Sequence, residues 1–253
     1  MTSDGHEIAE RLVRELFPLA RAAWLGGSTV DGTATATSDL DITVLLDGPP
    51  APYRESLHYN GWPVELFVHT DAAMEYFFTR ETERRRPNTL RLVGESLLLL
   101  DHDGSGGRLR ELSRRRLAAG PKPLSGRELR AARYGLTDLL DDLIGADHAD
   151  ERLLIATYLW HQAADLLLVG HRRWTARGKR LQRELAAFDR EHGTEYAREL
   201  AHAVRSVAAG ADEPMIAVVT RVLDRFGGRL FDGYRAAGPP VDAARVVRTD
   251  HDD

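Results

Sequence analysis

Apolar residues at Ile8, Leu12, Val13, Leu16, Phe17 and Leu19 recur with helical spacing, so the sequence opens on an amphipathic helix over Ile8 to Leu19. Ala22 to Leu25 is a short apolar run that reads as a buried strand, and Gly26-Gly27-Ser28 must break it. A small-residue stretch, Thr29 to Thr37, leads into Leu40 to Leu46 (LDITVLL), which is β-branched and apolar and is stopped by Asp47-Gly48-Pro49-Pro50. The Asn60-Gly61 turn signal introduces another strand, Trp62 to His69 (WPVELFVH). Leu97 to Leu100, closed by Asp101-His102-Asp103-Gly104, is the last strand the pattern predicts.

Beyond Gly107 the strand signals fade and the pattern turns helical. Ser125-Gly126-Arg127-Glu128 has the S-x-x-E form of a capping box and starts a helix running to about Ile144. The next helix, about Asp150 to Val169, is apolar nearly all round and is expected to be the buried spine of a bundle. Further helices fit Lys179 to Glu191, Thr194 to Ala209, and Glu213 to Phe226 with Pro214 in the first turn. The predicted architecture is therefore α/β plus all-α: a small mixed sheet with helices in residues 1–120, and a helical bundle in 121–253 with a loose tail from about Gly238. No repeat interrupts this two-part plan.

Composition narrows the chemistry. With 43% apolar residues in 253, the chain can bury a substantial core. It has no cysteine, so disulfides, thiolate nucleophiles and Cys-ligated metals are excluded, and any metal must be held by oxygen or imidazole. A net charge of -5 disfavours a role in coating nucleic acid phosphates. No apolar run approaches the roughly 18 residues of a membrane span. The stretch Met1 to Glu10 is polar and acidic where a secretory leader would be basic and then apolar, so a cytoplasmic protein without membrane contact is expected. The 34 basic residues include only two lysines, Lys122 at the boundary and Lys179 well beyond it, which makes Lys179 worth noticing.

Leu25 to Val44 (LGGSTVDGTATATSDLDITV) carries the strongest chemical signal. Asp39 and Asp41 stand two apart at the head of a strand, so both carboxylates project to one side while Leu40 and Ile42 face the core. Two adjacent anions need a cation, and carboxylate oxygens on a rigid strand end are hard ligands of the kind Mg²⁺ takes when phosphates complete its shell. Glu65 is the one acid inside WPVELFVH and is the natural third ligand if that strand neighbours the first. Gly27-Ser28 offers backbone amides and a hydroxyl to a phosphate, at a point where a helix could begin.

Gly27-Ser28, a spacer of ten residues, Asp39-Leu40-Asp41, and Glu65 on a later strand together resemble the fingerprint of the DNA polymerase beta-like nucleotidyltransferase superfamily. With the helical half, the chain is similar to the bacterial aminoglycoside nucleotidyltransferase-like branch. Glu83 to Leu92, Arg133 to Leu143 and Gly170 to Leu185 match that branch more loosely, and Arg180 stands where its pattern has an aromatic. The resemblance implies an adenylyltransferase acting between the two halves. ATP would be the co-substrate and pyrophosphate the product, with a small hydroxylated, aminoglycoside-like acceptor. Two Mg²⁺ ions would be held by Asp39, Asp41 and Glu65, with Glu65 alternatively the general base. Gly27, Ser28 and Lys179 would bind the nucleotide phosphates.

Plainer readings stand beside these. Asp39 and Asp41 could be an acidic strand start, Gly27-Ser28 a simple turn, Glu65 half of a structural ion pair with an arginine, and Lys179 a solvated helix-start lysine. Asp138, Asp141 and Asp142 could grip a cationic acceptor or form a solvated face. His161 and Asp165 read as a buried hydrogen-bonded pair, Arg84-Arg85-Arg86 as a solvated helix end, and Trp174 as the one tryptophan able to line a pocket. Two other functions compete with small-molecule transfer: a protein-adenylylating antitoxin-type module, and a non-catalytic nucleotide-binding relative.

Overall fold

The computed structural model describes residues 2–30, 32–35 and 37–238, so the tail expected after Gly238 lies outside the described residues. Contacts divide the chain into two compact units, Met1–Leu124 with Ala164–Ala197, and Ser125–Ala163 with Arg198–Asp253. The sequence pattern groups every helix after residue 121 together. The contacts instead assign residues 164–197 to the unit that holds the sheet.

That sheet has five strands among the described residues: β1 (Ala22–Gly26), β2 (Leu40–Leu45), β3 (Tyr53–Tyr59), β4 (Trp62–His69) and β5 (Leu97–Asp101), in the order β3-β4-β2-β1-β5. Only β2 and β4 run parallel, and the remaining pairs are antiparallel, which makes the sheet mixed. Strand β3 (YRESLHY) escapes the sequence pattern because most of it is exposed and four of its seven residues are polar or charged, a composition typical of edge strands.

Alternation along the strands gives the sheet two faces. Ala23, Leu25, Leu40, Ile42, Val44, Val64, Leu66 and Val68 turn one way and pack with Ile8, Leu12 and Val13 of α1 (Thr2–Leu16). Ala22, Trp24 and Leu45 turn the other way. They pack against Met74 and Phe78 of α2 (Asp71–Arg84), Leu90 and Val93 of α3 (Asn88–Gly94), and Trp174. Trp174 is thus a core residue, and its indole N–H donates to the Leu117 carbonyl in α4 (Ser105–Ala119) at 2.8 Å. Glu81 accepts from the first amides of α3, Thr89 and Leu90, and so caps that helix from inside the protein. α7 (Gly178–His192) completes this unit.

In the other unit the capping box is present as the sequence predicts. Ser125 Oγ accepts from the Glu128 amide, and the Glu128 carboxylate accepts from the Ser125 amide, opening α5 (Gly126–Gly145). The segment after α9 (Glu213–Asp224) is tied to α5 by Arg133, whose Nε donates to the Gly228 carbonyl at 3.0 Å, and by Tyr134 stacked on Tyr234. α6 (Ala149–Gly170) and α8 (Tyr196–Ala208) contribute residues to both units.

α6 departs from the expected buried spine. Ala163 to Leu168 are buried apart from Asp165, whereas Leu153, Leu154 and Tyr158 near its start are exposed. By length and composition it is also a helix able to cross a membrane, with a mean hydropathy of 1.3 over its best window, 39% of which is buried. Counting uninterrupted apolar residues overlooks such a helix, because its few charges break the run without lowering the average far.

Candidate active site

The parallel pairing of β2 with β4 sets Asp41 directly beside Glu65 in register. Register partners in adjacent strands point to the same face, so both carboxylates lie on the side of the sheet opposite α1. Asp39, two residues before Asp41, joins them: one oxygen from each of the three acids lies within 4.8 Å of the other two. The flanking Leu40, Ile42, Val64 and Leu66 are buried in the opposite core and hold the strands at this register. The sequence therefore places these three acids together correctly, and the reason is strand parity.

Gly27 is bound to this arrangement by geometry. Its φ of 73° is in the left-handed region, and a Cβ there would fall 1.9 Å from Asp41 Oδ2. Only glycine lets the backbone lie against that carboxylate. The expectation of a helix start at Gly27-Ser28 is not met: the Val30 amide donates to the Gly27 carbonyl and the Thr33 amide to the Ser28 carbonyl, forming turns rather than a helical N-terminus. Ser28 Oγ donates to Ser38 Oγ at 3.0 Å, and the Thr35 amide donates to the same oxygen at 2.8 Å. Ser38 thus ties the two ends of the loop together just before Asp39.

Charge is out of balance here. Asp41 is pushed up to about 7, first by burial and then by the negative charges of Asp39 and Glu65, with Arg54 and Lys179 opposing the shift. Three convergent carboxylates with such a surplus of negative charge suit a hard divalent cation, and no sulfur or imidazole belongs to the set. Lys179, exposed at the start of α7, is near enough to act on Asp41 electrostatically. One turn further along α7, Arg183 Nη1 donates to Thr33 Oγ1 of the loop at 3.0 Å.

Two residues near the acids were not singled out from sequence. Arg54 of β3 donates to Glu65 Oε1 at 2.5 Å, so the ion pair weighed for Glu65 is present even as Glu65 faces the aspartates. An arginine alternating with Tyr53 and Glu55 just ahead of a turn and a strand was the available signal. Arg183, four residues after Lys179 on a helix, was legible as a same-face partner.

Other candidates have structural roles. Arg85 donates to the carbonyls of Lys122 and Pro123, and Arg86 pairs with Asp165, so Arg84-Arg85-Arg86 is not simply a solvated helix end. Asp165 also accepts from the Thr175 hydroxyl. Asp141 pairs with Arg229.

No curated protein matches the chain significantly. Among solved structures the chain is similar to a nucleotidyltransferase-like protein from Exiguobacterium sibiricum, at 9% identity and a TM-score of 0.46, over 87% of this chain and 74% of that one. Residues 7–88 match the model of the family described as "Nucleotidyltransferase domain". That span contains Gly27, Ser28, Asp39, Asp41, Arg54 and Glu65, so the chain carries an N-terminal nucleotidyltransferase domain, followed by a helical region.

Proposed function

We propose that the protein is a divalent-metal-dependent nucleotidyltransferase that moves a nucleoside monophosphate, AMP from ATP, to a hydroxyl group of a small cationic acceptor. The observation that carries this reading is the register pairing of Asp41 with Glu65 on one face, with Asp39 within reach and the Gly27 backbone packed against Asp41.

Asp39 and Asp41 hold Mg²⁺, and the ion supplies Lewis acidity toward phosphate oxygens when bound. The chain's own groups do the rest. The Gly27 amide, the Ser28 hydroxyl and Lys179 hold the β- and γ-phosphates, where negative charge develops as pyrophosphate departs. Glu65 takes the proton of the acceptor hydroxyl, whose oxygen forms the new bond to the α-phosphorus as the bond to the bridging oxygen breaks. An aminoglycoside-like molecule is an acceptor of that kind.

The test is a transfer assay with α-labelled ATP and GTP against aminoglycosides, lincosamides and a purified extract of small molecules. Label is expected in an acceptor only with the wild-type chain and a divalent cation. Full transfer by a correctly folded Asp41→Asn variant would refute the assignment.

A further inference from the structure

Among the described contacts, the cation bonded to the acid cluster is Arg54, and its placement is fixed by the sheet. Arg54 lies directly across from Phe67 in the antiparallel β3–β4 pairing, and Ser56 lies across from Glu65. All four residues project from the same face, so Arg54 needs only the diagonal step to meet Glu65, and its Nη2 is 2.5 Å from Glu65 Oε1. The guanidinium carbon also sits 5.1 Å from the centre of the Phe67 ring, which holds the side chain from a second direction. A surface ion pair between long side chains is ordinarily mobile. Here the backbone register and an aromatic ring both aim the arginine at the acid cluster.

This matters for the division of labour among the acids. Glu65 and Arg54 form a neutral pair, which leaves Asp39 and Asp41 as the two carboxylates with no arginine bonded to them among the described contacts. We propose that Arg54 is a positioning residue that keeps Glu65 out of the metal shell, so that the cation is bound by Asp39 and Asp41 while Glu65 is reserved for the proton of the acceptor hydroxyl. The inference rests on the nucleotidyl-transfer reading above, and it supplies the physical reason for the proton-acceptor role given there to Glu65.

The test is a charge-balanced double-variant cycle, read by calorimetric titration of Mn²⁺ alone into the full chain. Arg54→Gln frees Glu65 and is expected to tighten Mn²⁺ binding about tenfold. Arg54→Gln combined with Glu65→Gln removes the neutral pair as a unit and is expected to return the affinity to within about threefold of wild type, while transfer activity falls at least about a hundredfold because the proton acceptor is gone. Arg54→Lys, which keeps the charge, is expected to stay near wild-type affinity and guards against a folding defect in the glutamine variant. A drop in Mn²⁺ affinity of tenfold or more in the double variant would make Glu65 a metal ligand and overturn the proposal, as would unchanged or weaker binding by Arg54→Gln. If the wild type transfers label while either of those results is obtained, the roles given to Arg54 and Glu65 fall and the nucleotidyl-transfer reading stands. If the wild type neither binds Mn²⁺ nor transfers label, both readings fall together.

Discussion

Among the described residues, a group of three carboxylates lies toward each end of the sheet, and the two groups are opposites. At the end where β1 begins, Arg21 lies among Asp47, Asp71 and Asp103, within 3.3, 2.5 and 2.8 Å. Arg21 sits centrally, its pKa raised by Asp71 and Asp103, while hydrogen bonds from Ser105 and Arg21 hold Asp103 well below the usual carboxylate range. At the end where β2 begins, Asp39, Asp41 and Glu65 converge, Arg54 is bonded to Glu65 alone, and Asp41 rises to about 7. Counting acids does not separate the two clusters. What separates them is whether the fold supplies the whole counter-charge or only part of it, and the second arrangement is what supports the function proposed above.

The largest effect expected to sharpen this contrast is on transfer: Asp41→Asn should lower the rate by about a thousandfold or more, measured with α-labelled nucleotide. The same variant should make the metal-free protein more stable at pH 8, by on the order of 1–3 kcal/mol in denaturant titration, since it removes a buried and crowded charge. Loss of both activity and stability would break the comparison. Gly27→Ala should follow, with at least about a hundredfold loss of Mn²⁺ affinity, because the new methyl group occupies the place of Asp41 Oδ2.

Next comes pH. Asp41 has a raised folded pKa, so its contribution to metal-free stability falls as pH climbs from about 4 to about 7. His69, buried at the far end of β4 and held down to about 4 by burial, does the reverse: its contribution is complete above about 6.5 and is lost as pH falls toward 4. These two slopes oppose each other between pH 4 and 6.5. Asp41→Asn should unmask a stability that rises with pH across that window, followed by denaturant titration in chelator. An unchanged profile would show that Asp41 titrates normally.

Smaller effects belong to the neutralised end and to the loop. Arg21→Met should lower Tm by about 2–4 °C while leaving transfer unchanged, since its partners are mostly exposed and screened. Arg183→Ala should weaken triphosphate binding by less than about tenfold, read by calorimetry with a non-hydrolysable nucleotide.

The sequence alone determined the acid trio and most of the elements, though not β3, α2 or α3. Periodicity marked α1, β1, β2, β4, β5 and most later helices because apolar spacing is a local property of the chain, and the parity of Asp39 and Asp41 follows from the two-residue repeat of any strand. Glu65 was legible because a charge among apolar strand residues is costly without a purpose. Tertiary structure alone decided that β4 lies parallel to β2 with Glu65 opposite Asp41, that β3 joins the edge and aims Arg54 at Glu65, and that α7 belongs to the unit that holds the sheet and brings Arg183 to the loop. Strand order, register and docking depend on contacts between residues distant in sequence, whose energies no local pattern records, so the counter-charges around the acids could only be read from the folded chain.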